Sequence, residues 1–215
     1  ATYLRALELN PNYATAYYWY GTLLNYNLRR PQEALALHRK ALELDPLSVD
    51  VIRSVGDDLW GLGQFDEALT WYEKALEVDP RHATAYLDIG VYHFLVLGKL
   101  DDAVVWFAKG ISIDPGNSGF PAFMGMSFLT LGDPGRAEYW IQRSIELGPD
   151  SGIPIFSMQI LHLHREDESS VDDARKAIAR FPNMWPPLVL LRDHELREGR
   201  PAEARACTNG AAQNY

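Results

Sequence analysis

The chain has 215 residues, 47% of them hydrophobic, and a formal net charge of −9, with a pI near 5.1. That length and apolar content suit one ordinary domain or a short solenoid with a sizeable interior. The acidic balance argues against nucleic acid, which calls for a basic footprint, and against an anionic membrane surface. It leaves a basic or apolar protein or peptide segment as the easier partner.

Proline recurs along the chain at Pro11, Pro46, Pro80, Pro115, Pro149 and Pro182, at intervals of 35, 34, 35, 34 and 33 residues. Asn10, Asp45, Asp79 and Asp114 precede four of them. Proline stops a helix, and the residue before it leaves the helical region. Residues 1–11 contain Thr2 to Leu9, which reads as the second helix of a truncated repeat with Tyr3 and Ala6 in contact positions. Such a half repeat leaves an apolar stripe wet, at about 1.5–3 kcal/mol per large side chain. The stripe is expected to pack on upstream sequence or on a second copy, as a homodimer. The chain opens on Ala1, without Met, and reads as a piece of a longer protein.

Repeat one, 14–46, places Tyr17, Tyr20, Gly21 and Leu24 on its first helix and Ala34, His38, Ala41 and Leu44 on its second. Its turn, Asn27 to Arg30, carries one extra residue, and Pro31 suits a helix start. Repeat two, 49–80, has Ile52, Val55, Gly56 and Leu59, a turn at Gly63, then Ala68, Tyr72, Ala75 and Val78. Repeat three, 83–115, has Tyr86, Ile89 and Gly90, then Ala103, Phe107, Gly110 and Ile113, with one added residue near Leu97-Gly98. Repeat four, 118–149, keeps Met124, Gly125, Phe128, Ala137, Ile141 and Leu147, with Pro121 early in its first helix. Repeat five, 152–182, is degenerate, with Gln159 for glycine, Ser170 for alanine and a capping-box pattern at Ser170 to Asp173. A partial repeat six, 185–208, keeps Leu188, Leu191, Gly199, Pro201 and Ala204, and 209–215 is a tail.

The pattern of large apolar residue, Leu-Gly, aromatic, alanine, aromatic and proline over about 34 residues resembles the tetratricopeptide repeat (TPR) family. The stretch NYATAYYWYGTLL to DPLSVDV also resembles, over the first two repeats, TPR regions downstream of effector domains in bacterial regulators such as winged-helix activators or adenylate cyclase-like proteins. The resemblance implies an all-α fold, a right-handed α-solenoid of antiparallel helix pairs. Gly21, Gly56, Gly90 and Gly125 are expected where the helices of a pair approach closest, with Ala34, Ala68, Ala103 and Ala137 facing them.

In that family the first helices line a concave face. Carried over by position, the partner-binding residues are Tyr18, Trp19, Thr22 and Tyr26 in repeat one and Arg53, Asp57 and Trp60 in repeat two. Leu87, Asp88 and Phe94 follow in repeat three, and Phe123 and Met126 in repeat four. Asp50, Ser54, Val91, Ala122 and Thr130 fall on the same faces. Trp19 and Trp60 could equally pack between repeats. Chaperone-binding members hold a C-terminal carboxylate with Lys and Asn. The matching positions here carry Tyr18, Thr22, Ser54, Thr84 and Asp88, which argues against a chaperone-tail adaptor.

Signals for chemistry are sparse. His162 and His164 are the best metal candidates, but their spacing puts them on different sides of a helix, and His194 would join them only by accident of fold. Asp101-Asp102 and Asp172-Asp173 sit at helix starts, where acids favour the dipole. Cys207, the single cysteine, excludes an internal disulfide and leans towards a reducing, cytoplasmic setting. No apolar run approaches the ~18 residues of a membrane span. The expected function is a non-catalytic protein–protein interaction scaffold, without cofactor or metal, that takes a peptide or partner segment in its groove as part of a larger protein. One alternative is a self-association or intramolecular regulatory module of a bacterial signalling or transcription regulator. Another is a small-ligand or metal-dependent activity near the fifth repeat.

Overall fold

The computed structural model describes residues 2–149, 157–158, 160–161, 168–180, 191–192 and 194–203. All regular structure among them is helical. The chain divides into two compact units, Ala1–Ile113 and Asp114–Tyr215. The first unit holds α1 (Thr2–Leu9), α2 (Ala14–Thr22) continued by a π-helical stretch (Leu23–Asn27), α3 (Pro31–Leu44) and α4 (Val49–Gly61). It closes with α5 (Phe65–Val78), α6 (Ala83–Leu95) and α7 (Leu100–Ile113). The second unit holds α8 (Gly119–Thr130), α9 (Pro134–Leu147) and α10 (Glu168–Arg180). Helices pair in succession: α2 with α3, α4 with α5, α6 with α7, and α8 with α9. In the first unit the pairs also stack, α3 on α4 and α5 on α6.

The spaced prolines set where the second helices stop. Helices α1, α3, α5, α7 and α9 each end two residues before Pro11, Pro46, Pro80, Pro115 and Pro149. At three of these exits the preceding Asx residue folds the chain. Asn10 Oδ1 accepts from Asn12 N at 3.1 Å, Asp79 Oδ1 from Arg81 N at 2.9 Å and Asp114 Oδ1 from Gly116 N at 3.2 Å. The short acceptor reaches past the proline, which has no N–H of its own, and closes an Asx turn.

Within each pair the glycine of the first helix meets a ring or branched side chain of the second. A Cβ on Gly21 would lie 2.5 Å from His38, on Gly56 2.5 Å from Tyr72, on Gly90 2.3 Å from Phe107, and on Gly125 2.5 Å from Ile141. The alanines expected to face these glycines are fully buried. Yet the side chain one turn further along fills the space, and of the alanines only the Ala137 carbonyl oxygen is among the nearest atoms. Around this contact Val55, Leu59, Ala68, Tyr72 and Ile89 form one buried cluster of the first unit.

The turns inside the pairs share one closure. A residue with left-handed φ stands before a donor that reaches back into the first helix. Gln64 N bonds to Leu59 O, Asp133 N to Phe128 O and Arg200 N to Glu195 O, each spanning five residues. The residues with positive φ at these three turns are Gly63, Gly132 and Gly199. Two turns span six instead: Arg30 N to Leu24 O, and Lys99 N to His93 O. These are the two with an added residue. Around Gly98 the addition is absorbed at the helix exit, where Leu97 N bonds to Tyr92 O. In α2 it is absorbed inside the helix, as the π-helical stretch, and Arg29 takes the left-handed place at φ 54°.

In the second unit Asp133 caps α9, accepting from Arg136 N at 2.9 Å, and Val171 and Ala174 of α10 pack with Leu191. His162, His164, Gln159, Trp185, Leu188, Ala204, Cys207, the Ser170 side chain and the tail lie outside the described residues.

Candidate partner-binding site

The first helices of the stacked pairs carry the candidate residues. Tyr18, Trp19 and Thr22 stand on α2, Tyr26 on its π-helical continuation, Arg53, Asp57 and Trp60 on α4, and Leu87, Asp88 and Phe94 on α6. These ten belong to the first unit. Phe123 and Met126 stand on α8, in the second.

An ion network joins four of them. Arg53 Nη1 donates to Asp57 Oδ1 at 3.1 Å and to Asp88 Oδ2 at 3.1 Å. Asp57 and Arg53 share a face because they are four apart on α4, whereas Asp88 arrives from α6 through the stacking of one pair on the next. The Tyr26 hydroxyl donates to Asp57 Oδ2 at 2.6 Å, and the Tyr72 hydroxyl to Asp57 Oδ1 at 3.2 Å. The side chains of Arg53, Asp57 and Asp88 are 16%, 10% and 19% exposed. They are withdrawn from bulk water but reachable from it.

Burial disfavours charge on Arg53 and Asp88, and the partners decide the outcome. For Arg53 burial works against the cation, but Asp57 and Asp88 more than offset it and hold the guanidinium charged. For Asp88, burial first and the Asp57 charge second push the carboxyl up to about 7, against the pull of Arg53. Burial and the Asp57 charge also raise both tyrosine hydroxyls, so both remain donors.

Beside the network lies a cavity of about 270 Å³, lined among others by Asn25, Tyr26, Arg29, Asp57, Trp60 and Asp88. Tyr26 is 51% exposed at its edge. Trp60 is half-buried, packed on the core cluster and edge-on to Phe65 at 4.9 Å between ring centroids. A second cavity, of about 220 Å³, is lined by Tyr18, Trp19, Asp45 and Asp50 among others. Trp19 is 48% exposed there and rests on Tyr18, centroids 4.8 Å apart.

The remaining positions differ in character. Thr22 Oγ1 donates to Tyr18 O at 3.0 Å, so its hydroxyl is satisfied on its own helix. Leu87, Phe94, Phe123 and Met126 are partly buried. Ser54 and Ala122, placed by sequence on the open face, are buried. A helix face that packs on a neighbouring helix is wider than the contact stripe alone.

Sequence reading misses four participants. Tyr72 reads as packing alone, although a buried hydroxyl needs a partner, and that is the available signal. Asn25 and Arg29 enter the cavity through the π-helical turn. Asp58 is the fourth: fully buried, its Oδ2 lies 2.6 Å from His38 Nδ1, while His38 Nε2 meets Tyr18 O at 3.1 Å. Burial raises the Asp58 carboxyl, and His38 pulls it back. His38 at a ring position of the core is its signal, since a buried imidazole calls for a counterpart.

Two family models described as tetratricopeptide repeat match the sequence, over residues 2–36 and 56–118. Solved structures with the same fold include TTC0263, a thermophilic TPR protein of Thermus thermophilus. It is 20% identical with a TM-score of 0.72, over 85% of this chain and 99% of that one. The Cut9 and Hcn1 hetero-tetramer of APC/C aligns at 16% identity and TM-score 0.79, over 97% of this chain and 41% of that one. YrrB, a TPR protein with an unusual peptide-binding site, aligns at 21% identity and TM-score 0.54, over 87% and 96%. No curated protein matches the sequence.

Proposed function

The chain belongs to the tetratricopeptide repeat family, and on that premise we propose that it is a non-catalytic scaffold that binds a peptide segment of a protein partner. The segment lies along the α2, α4 and α6 faces of the first unit. One observation carries this reading: half-exposed Trp19 and Tyr26 border two cavities, one of them floored by side chains already fixed by Arg53. Aromatic anchors supply apolar area with little rotamer loss, and a preformed polar floor costs little ordering on association. The acidic chain, net −9, favours a segment that is basic or apolar.

The test is retention of short random-sequence peptides on the immobilised chain and on a Trp19→Ala, Tyr26→Ala variant. The wild type is expected to retain a related set of sequences and the variant to lose them, with unchanged melting curves. Equal retention by both would remove the groove.

A further inference from the structure

This inference rests on the peptide-groove reading and names what its floor selects. At the cavity two carboxyl groups, Asp57 and Asp88, share the single guanidinium of Arg53, so with both ionised the three groups carry one negative charge in excess. Asp57 is the better supplied, because it also receives the Tyr26 and Tyr72 hydroxyls. Asp88 receives Arg53 alone among the described residues, at Oδ2. Arg29 is also cationic but stands exposed at the rim, where solvent screens it. An acidic segment or a C-terminal carboxylate would meet this excess with the wrong sign and find the Arg53 fork already engaged.

We propose that this cavity is a subsite for one basic side chain, lysine or arginine, of an extended peptide. Asp88 and Asp57 take its charge, and Tyr26 and Trp60 flank its methylene stem. Both stems carry apolar length behind a charged head, which suits aromatic walls over a carboxylate floor. The raised Asp88 carboxyl agrees with this geometry: burial first, and the Asp57 charge second, hold it up against the pull of Arg53, and a further cation would offset both. The π-helical turn agrees with this placement, because such turns recur at functional sites and this one sets Asn25 and Tyr26 at the cavity.

Peptides retained by the wild type are sequenced and compared with those retained by Asp88→Asn and Asp88→Glu. One retained peptide is then remade with norleucine, Nε-acetyl-lysine or glutamate at the enriched position. The expected result is a single position enriched in lysine or arginine, kept by Asp88→Glu and lost by Asp88→Asn. Norleucine and acetyl-lysine versions should bind at least about tenfold more weakly to the wild type. Retained peptides with no basic preference, or a preference that survives in Asp88→Asn, would overturn the subsite and leave the groove standing. No retention beyond the Trp19→Ala, Tyr26→Ala variant would overturn the groove itself. If Asp88→Asn melts early, the remade peptides on the wild type decide the matter.

Discussion

Gly56→Ala tests the packing rule that builds each helix pair. The new Cβ would stand 2.5 Å from Tyr72 Cε1, 2.7 Å from Cδ1 and 3.1 Å from Cζ, against about 3.5–4.0 Å for relaxed carbon contacts. The ring must therefore move by roughly 1 Å. It has little room, since Tyr72 is buried among Val55, Leu59, Ala68 and Ile89, and its hydroxyl is tied to Asp57. Overpacking costs about 1–3 kcal/mol, and alanine returns about 1 kcal/mol in helix propensity. The net is about 0–2 kcal/mol if the hydroxyl keeps its carboxylate. Losing that charged hydrogen bond adds about 1.5–3 kcal/mol. Urea denaturation followed by circular dichroism measures the loss, and Tyr72→Leu identifies its cause. If the ring is the obstacle, Tyr72→Leu costs less in the Gly56→Ala background than in the wild type, a coupling that a double-mutant cycle reads directly. Strictly additive costs in that cycle would refute the reasoning.

Two further perturbations follow from the turns and the ion network. Gly63→Ala should lose about 1 kcal/mol although nothing lies within 4 Å of its Cβ, because φ is +76°; Arg29→Gly, already left-handed at φ 54°, should lose nothing. Equal losses in thermal melts would exclude backbone strain as the cause. Asp88, with its carboxyl pushed up to about 7 from the ordinary 3.8, keeps its proton in the fold where the unfolded chain has released it. Its contribution is thus fully present below the unfolded value and fades as pH rises towards 7. The wild type should lose stability relative to Asp88→Asn over that window, by at most about 1.4 kcal/mol per pH unit. Identical pH profiles in urea titrations would oppose this.

How much the sequence shows depends on the range of the force concerned. Pro46 and Pro80 act on their own backbone, and Gly63 answers a local φ, so helix ends and turns can be read from spacing. Gly56 marks a close approach just as plainly. Whether Ala68 or Tyr72 fills it depends on how two helices cross, and spacing leaves that open. Arg53 and Asp57 share a face by the helical period. Asp88 joins them only because α6 stacks on the α4–α5 pair, and that register is a product of packing. The Tyr26 contact with Asp57 is hidden for another reason: the length of the α2–α3 turn reveals an added residue but not which side of the turn absorbs it.

Where that addition went matters beyond this one turn. A residue added to a loop leaves the side chains on either side where they were. Absorbed as a π-helical stretch, with more residues per turn than the α-helix before it, it changes the bearing of the side chains within that stretch, so Asn25 and Tyr26 look in a direction an uninterrupted α2 would not give them. A ligand-facing surface can in this way be re-aimed by a single insertion while the helix pairs beneath keep their mutual fit.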